Sequence, residues 1–227
     1  MRRPRETREP EVVGEPRWPP VLAVLTFVAL SVALRLVLPS EGSLGPTWVI
    51  PSVEGVLVVA LLAGDPGRFD RRATWLRRTL IAMVGLLVAA SLWATVVLTA
   101  RLIEGGGDTN SAGALLAAGS VVLAGNNLAF ALLYWAFDCG GPAVRAHGMP
   151  AHPDFAFPQQ LNPDLATPGW RPAFVDYLYL GFTNSAAFSP TDAMPLAPWA
   201  KISMAVQATI SLALLGLVIA RAVNVFS

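Results

Sequence analysis

Residues 174–192, FVDYLYLGFTNSAAFSPTD, decide how the rest of this chain is read. The stretch is apolar enough to enter a bilayer, yet it carries Asp176, Thr183, Asn184, Ser185, Ser189, Thr191 and Asp192. Pro172 and Pro190 bracket it, leaving about 17 residues, the lower limit for crossing ~30 Å of hydrocarbon. Polar groups at that depth must face protein or water, because lipid cannot satisfy them. The stretch is therefore either a short, kinked span or a re-entrant half-helix, followed by the proline-rich elbow SPTDAMPLAP and a long apolar helix.

Working outward, the composition fits a membrane protein. Of 227 residues, 54% are hydrophobic and 14% charged, where soluble domains carry about 25% charged residues. The single lysine among 16 basic residues and the lack of a basic face exclude a nucleic-acid partner. One cysteine, Cys139, excludes an internal disulfide. The expected class is all-α: a polytopic transmembrane helix bundle of about six membrane segments, the fifth short or re-entrant, with the lipid bilayer as its first partner.

Residues 1–18 mix arginine, glutamate and proline without apolar periodicity and read as a disordered tail. The membrane domain, 19–227, divides into helices at about 19–38, 48–64, 79–103, 111–137, 173–189 and 197–226. The first carries no small-x-small cleavage site and is expected to remain as a helix. The loop 138–172 holds seven prolines and is expected to be mostly non-helical.

Arginines set the orientation. The tail and the 65–78 connection hold five each, and the 39–47 connection holds none. The positive-inside rule then puts the amino terminus, the 65–78 connection and the 138–172 loop in the cytoplasm. Six crossings would return the carboxyl end to the cytoplasm, a solution favoured by Arg221; five, with a re-entrant 174–190, would leave it outside.

Two resemblances follow from these residues. GFTNSAAFSPTDAMP, 181–195, resembles the pore helix and filter of two-helix potassium channels, with Phe182 on the pore-helix aromatic and Asp192 on the aspartate after the filter. The family's glycine-containing filter would fall on Ala187, Phe188, Ser189, Pro190 and Thr191. Without its glycines the carbonyls cannot line up on an ion, so potassium selectivity is not expected. Over roughly 50–226, the strings FALLYWAF, DFAFP, DYLYLGFTNSAAFSPTD and ARAVNV resemble a family of uncharacterised bacterial integral membrane proteins, a domain of unknown function. That resemblance implies a bacterial plasma-membrane protein and brings no activity with it.

Six of the ten residues from Thr183 to Asp192 are Thr, Asn, Ser or Asp, which makes this break the candidate pore or transport centre. Its residues are Thr183, Asn184, Ser185, Ser189, Thr191 and Asp192, with Lys201 as a counter-ion on the last helix. Further intramembrane polar candidates are Arg35 and Glu54, which could pair across a helical hairpin, Asn126 and Asn127 as interhelical ties, Asp176 at a helix start, and Gln207 facing the break. His147, His152, Cys139 and Asp154 share one loop without a regular ligand spacing, so no metal or other cofactor is expected. No nucleophile–base pair is recognisable, and EGGGDTN lacks the lysine of a phosphate cradle, so enzymatic activity is not expected. A channel- or transporter-like protein is the leading reading. A non-conducting structural or regulatory membrane subunit is the alternative, and small-residue helix faces suit a homo-oligomer in either case.

Overall fold

The computed structural model describes residues 14–37, 55–56, 59, 68–69, 73–104, 112–150, 152–186 and 193–226. Among them the fold is all-α, with helices α1 (Trp18–Val37), α2 (Thr74–Glu104), α3 (Ala112–Phe137), α4 (Pro142–Arg145), α5 (Pro158–Leu161), α6 (Phe174–Ala186) and α7 (Pro198–Phe226). Two-residue bridges pair β1 (Glu15–Pro16) with β2 (Arg68–Phe69) and β3 (Phe155–Ala156) with β4 (Met194–Pro195), both antiparallel. Prolines open α4, α5 and α7, where a missing N–H costs nothing. Residues Thr74–Ile103, Gly113–Gly140 and Pro198–Val223 are long and apolar enough to cross a membrane.

Helix α3 is the axis. Of its most apolar window 56% is buried, against 28% for those of α2 and α7, because α1, α2, α6 and α7 all pack around it. Successive residues point to successive neighbours: Gly125 meets Phe27 of α1, Asn126 meets Ser91 of α2, and Asn127 meets Gly181 of α6. At 100° per residue these three positions span about 200°, so α3 is packed on more than half of its circumference at that level, with Ala124 exposed on the remaining face.

One end of the bundle, the cap end, gathers many chain segments. Glu15, just before α1, takes the indole N–H of Trp135 near the end of α3 and the backbone N–H of Phe174 at the start of α6. Arg77 in the first turn of α2 donates to the Gly140 carbonyl just beyond α3. Trp199 at the start of α7 stacks on Phe137 and donates to Asp154. Helices α1, α2, α6 and α7 therefore all start beside the end of α3 and run antiparallel to it. At the far end Leu98 and Leu102 of α2 pack with Leu115, Ala118 and Val122 of α3 and Leu214 and Val218 of α7.

Helix α6 and helix α7 both begin at the cap end, and β4, between them, pairs with β3 there. The 13 described residues of α6 are ~20 Å long, two-thirds of a hydrocarbon core. The return of the chain to the cap end accords with the re-entrant alternative for 174–190; the number of crossings turns also on 48–64 and 187–192, which lie outside the described residues. Glu15 and the last turns of α7 lie at opposite ends.

Other boundaries differ less. Helix α2 starts at Thr74 rather than 79, taking in Arg77 and Arg78; the end expected for α6 at 189 lies outside the described residues. The second helix expected over 48–64 lies outside the described residues, apart from helical Gly55, Val56 and Val59. Glu15 belongs to the fold rather than to a disordered tail, because two hydrogen bonds hold its carboxylate. The loop 138–172 is mostly non-helical as expected, but it is a folded cap rather than a slack connection.

Candidate functional site

The inner end of α6 is built around Gln207, which is fully buried on α7. Its Oε1 accepts from the Tyr134 hydroxyl at 2.7 Å and from Asn184 Nδ2 at 2.8 Å. Its Nε2 donates to the Gly181 carbonyl at 3.1 Å and to Ser185 Oγ at 2.8 Å. Asn184 Nδ2 also donates to the Met204 carbonyl, and Ser185 Oγ to the Gly181 carbonyl. One amide thus ties three helices, α3, α6 and α7, with all of its hydrogen-bonding capacity used.

Helix α6 approaches α3 closely at Gly181, where an added Cβ would displace the Asn127 amide. A Cβ there would stand 2.6 Å from Asn127 Oδ1 and 3.4 Å from the Asn127 carbonyl oxygen. Asn127 Oδ1 is buried with no hydrogen-bond partner, set against this backbone. Asn126, fully buried, accepts from Ser91 Oγ at 3.0 Å, while Thr95 bonds back to the Ser91 carbonyl. Asn126 is thus an interhelical tie between α3 and α2.

The cap end satisfies helix termini with charge of the right sign. The end of α3 presents carbonyls that have no partner within the helix. Arg145, buried at 3% exposure, donates to the carbonyls of Trp135 at 2.8 Å and Asp138 at 2.7 Å, and Arg77 to that of Gly140. The start of α6 presents N–H groups, and carboxylates take them: Asp176 accepts from Ala173 N at 2.7 Å and Glu15 from Phe174 N. Cations at a helix end and anions at a helix start both suit the macrodipole. Burial pushes the Glu15 carboxyl up from its ordinary value, against the hydrogen bonds from Trp135 and Phe174 and the nearby charge of Arg145, which pull it down.

Asp138 is the exception to that sign rule, a fully buried carboxylate at the end of α3. It is held by four donors: the Tyr177 hydroxyl, the Cys139 thiol at 3.2 Å, and the backbone N–H groups of Asp154 at 3.1 Å and Phe155 at 3.2 Å. The guanidinium of Arg145 lies 5.0 Å from the Tyr177 ring centroid. Gly141, at φ 101°, makes the sharp turn beneath this cluster; a Cβ there would meet the Ala136 carbonyl at 2.9 Å. Phe155, fully buried, packs edge-on against Tyr134, Tyr177 and Trp199. The loop is thereby clamped to the bundle.

The expected site residues divide sharply. Asn184, Ser185 and Gln207 come together as expected. Thr183 does not join them: its hydroxyl bonds back to the carbonyls of Tyr179 and Leu180. Lys201 is exposed and turned away; six residues before Gln207, it sits about 120° round the helix from it. Its expected role as a counter-ion at the break involves Asp192, which lies outside the described residues. Ser189, Thr191, Asp192, Glu54 and the side chain of Arg35 lie outside the described residues, and the proposed Arg35–Glu54 pair with them. Asp176 is a helix-start carboxylate as expected. His147 is exposed with Nδ1 against the Ala143 carbonyl, His152 is exposed, and Asp154 meets Cys139 through the backbone amide.

Glu15, Asp138, Arg145 and Tyr177 were not singled out in the sequence. Asp138 carried a legible signal: an acid directly after an apolar helix opposes the dipole and needs donors nearby. A comparison with protein-family models, with curated proteins and with solved structures finds no match to this chain.

Proposed function

We propose that this is a multi-pass bacterial plasma-membrane protein, with its amino terminus and the 138–172 cap in the cytoplasm, that passes a small cation or polar solute beside the half-helix α6 without selecting potassium. The observation that carries the reading is α6 itself, a helix too short to cross that stops midway, with its inner end pinned at Gln207. Half-helices inside a bundle are the means by which channels and transporters bring backbone dipoles to mid-membrane. The carbonyl end of α6 points inward and attracts positive charge. The membrane placement draws support from Trp18 and Trp75, 57% and 52% exposed at the starts of α1 and α2, as an interfacial aromatic belt. Arg77 and Arg78 stand at the same end, as the positive-inside rule asks of a cytoplasmic face.

Reconstituted vesicles test this. Monovalent-cation flux of similar size for sodium and potassium, reduced by Asp192→Asn, is the expected result. No flux for any cation, and no effect of Asp192→Asn, would leave a non-conducting structural or regulatory subunit. One observation favours that second reading: the Gln207 amide spends all its hydrogen bonds on neighbouring helices, as a structural tie would.

A further inference from the structure

The face of α6 that does not meet Gln207 borders a cavity of about 130 Å³ between this helix, the cap and Ala193. Its lining includes Asp176, Tyr179, Leu180 and Thr183 from α6 and Phe157 and Gln159 from the cap. From Asp176 to Thr183 is ~10 Å along the helix, so the cavity follows α6 from the cap end inward.

Acceptor oxygens are available in its lining, with the Tyr179 hydroxyl able to accept or donate. Gln159 Oε1 is buried with no hydrogen-bond partner among the described residues. Thr183 gives its hydrogen to the carbonyls of Tyr179 and Leu180, so its oxygen can only accept from a ligand. Asp176 takes the Ala173 N–H and keeps lone pairs to spare. Among the described residues no basic side chain lines the space, and Asp176 is its one charged group. Phe157 and Tyr179 add aromatic rings, whose faces attract cations.

From this lining we infer that the cavity is a binding site for a small primary ammonium ion, ammonium itself or a short alkylammonium. An anion would meet the carboxylate, and a neutral solute would leave that carboxylate without a counter-charge. A bare divalent metal cation wants six or more oxygens, a fuller shell than the four oxygen-bearing side chains of the lining, Gln159, Asp176, Tyr179 and Thr183, supply. A primary ammonium brings three N–H donors to three acceptor groups and its charge to Asp176. The volume equals about four waters at ~30 Å³ each, enough for methylammonium with water remaining. The assignment rests on the reading of α6 as the functional half-helix, and it names the class of solute.

The test is calorimetric titration of the full chain in lipid nanodiscs with methylammonium chloride, against sodium and choline chloride at matched ionic strength. Choline carries the charge without N–H donors. Saturable binding of methylammonium alone is expected, weakened about tenfold or more by Asp176→Asn and by Gln159→Leu. The amide introduced by Asp176→Asn would still offer an oxygen to the Ala173 N–H, and Gln159→Leu leaves that cap untouched, so at least one variant keeps the wild-type melting temperature. Equal heats from choline or sodium, no saturable heat, or wild-type affinity in the folded variants would overturn the site. Binding without vesicle flux would remove conduction and keep the site. Flux without binding would do the reverse.

Discussion

Replacing Gln207 by leucine keeps the volume of a fully buried residue and removes four hydrogen bonds that join α3, α6 and α7. The partners do not suffer equally. Asn184 keeps the Met204 carbonyl and Ser185 keeps that of Gly181. Only the Tyr134 hydroxyl loses its sole described partner, in a site closed to water. An orphaned buried hydroxyl costs about 1–3 kcal/mol, and each lost tie within a membrane about 0.6 kcal/mol. Gln207→Leu should therefore destabilise by roughly 2–4 kcal/mol. Tyr134→Phe should cost only about 1 kcal/mol, since Gln207 keeps Asn184. The double variant removes the orphan along with the tie, so it should lie close to Gln207→Leu alone, a coupling of about 1 kcal/mol or more. Reversible unfolding in mixed micelles reads all four proteins. Additive losses would show that Tyr134 and Gln207 do not bond, and would undo the pinned half-helix.

Gly181→Ala should cost about 1–3 kcal/mol and loosen α6, since its Cβ meets Asn127 Oδ1 at 2.6 Å; proteolysis after 186 that is no faster than in wild type would count against it. Glu15 gives a pH dependence. Burial raises its folded value above the ordinary 4.5, so its contribution is complete below 4.5 and is lost as pH rises through the folded value; Glu15→Gln should flatten that decline in a melting-temperature series. Arg145→Met should destabilise by about 3 kcal/mol or more, because two carbonyls at the end of α3 lose a charged donor; a change within about ±0.5 kcal/mol would deny its capping role. In a Cys139→Ala background, a cysteine at Gly148 should resist an impermeant reagent added outside cells while one at Val223 reacts; labelling of both from one side would refute opposite ends for the cap and the end of α7.

The long helices were legible because apolar length is a property of sequence alone, and Thr74–Ile103, Gly113–Gly140 and Pro198–Val223 show it. Asn184, Ser185 and Gln207 were legible for a related reason, since polar groups at membrane depth need partners. Their grouping was not, because it depends on the rotation of α6 and α7 about their axes. The same rotation turned Lys201 away from Gln207, and the Thr183 hydroxyl bonds back to its own helix. The cap was least legible. Asp138, Arg145, Asp154 and Tyr177 meet across up to 39 residues, and no local period announces such a contact. Glu15 lies 159 residues from Phe174, the backbone donor it caps.

Helix α6 divides its polar residues between two tasks, and the division follows from its length. A half-helix inside a bundle needs lateral anchors to hold it at depth. Asn184 and Ser185 supply them at the inner end, one face bonding to Gln207, whose own amide has no capacity left for a solute. The acceptors on the cavity face of α6 are Asp176 and Thr183, joined by Gln159 from the cap. The cap holds that geometry from outside: Glu15 fixes the first N–H of α6, while Phe157, whose ring packs edge-on against Tyr177, stands at the cavity wall. Loosening the anchor should then change stability first and binding second, whereas Asp176→Asn should change binding first. A Gln207→Leu protein that binds methylammonium as wild type does, though it melts earlier, is the result this separation requires.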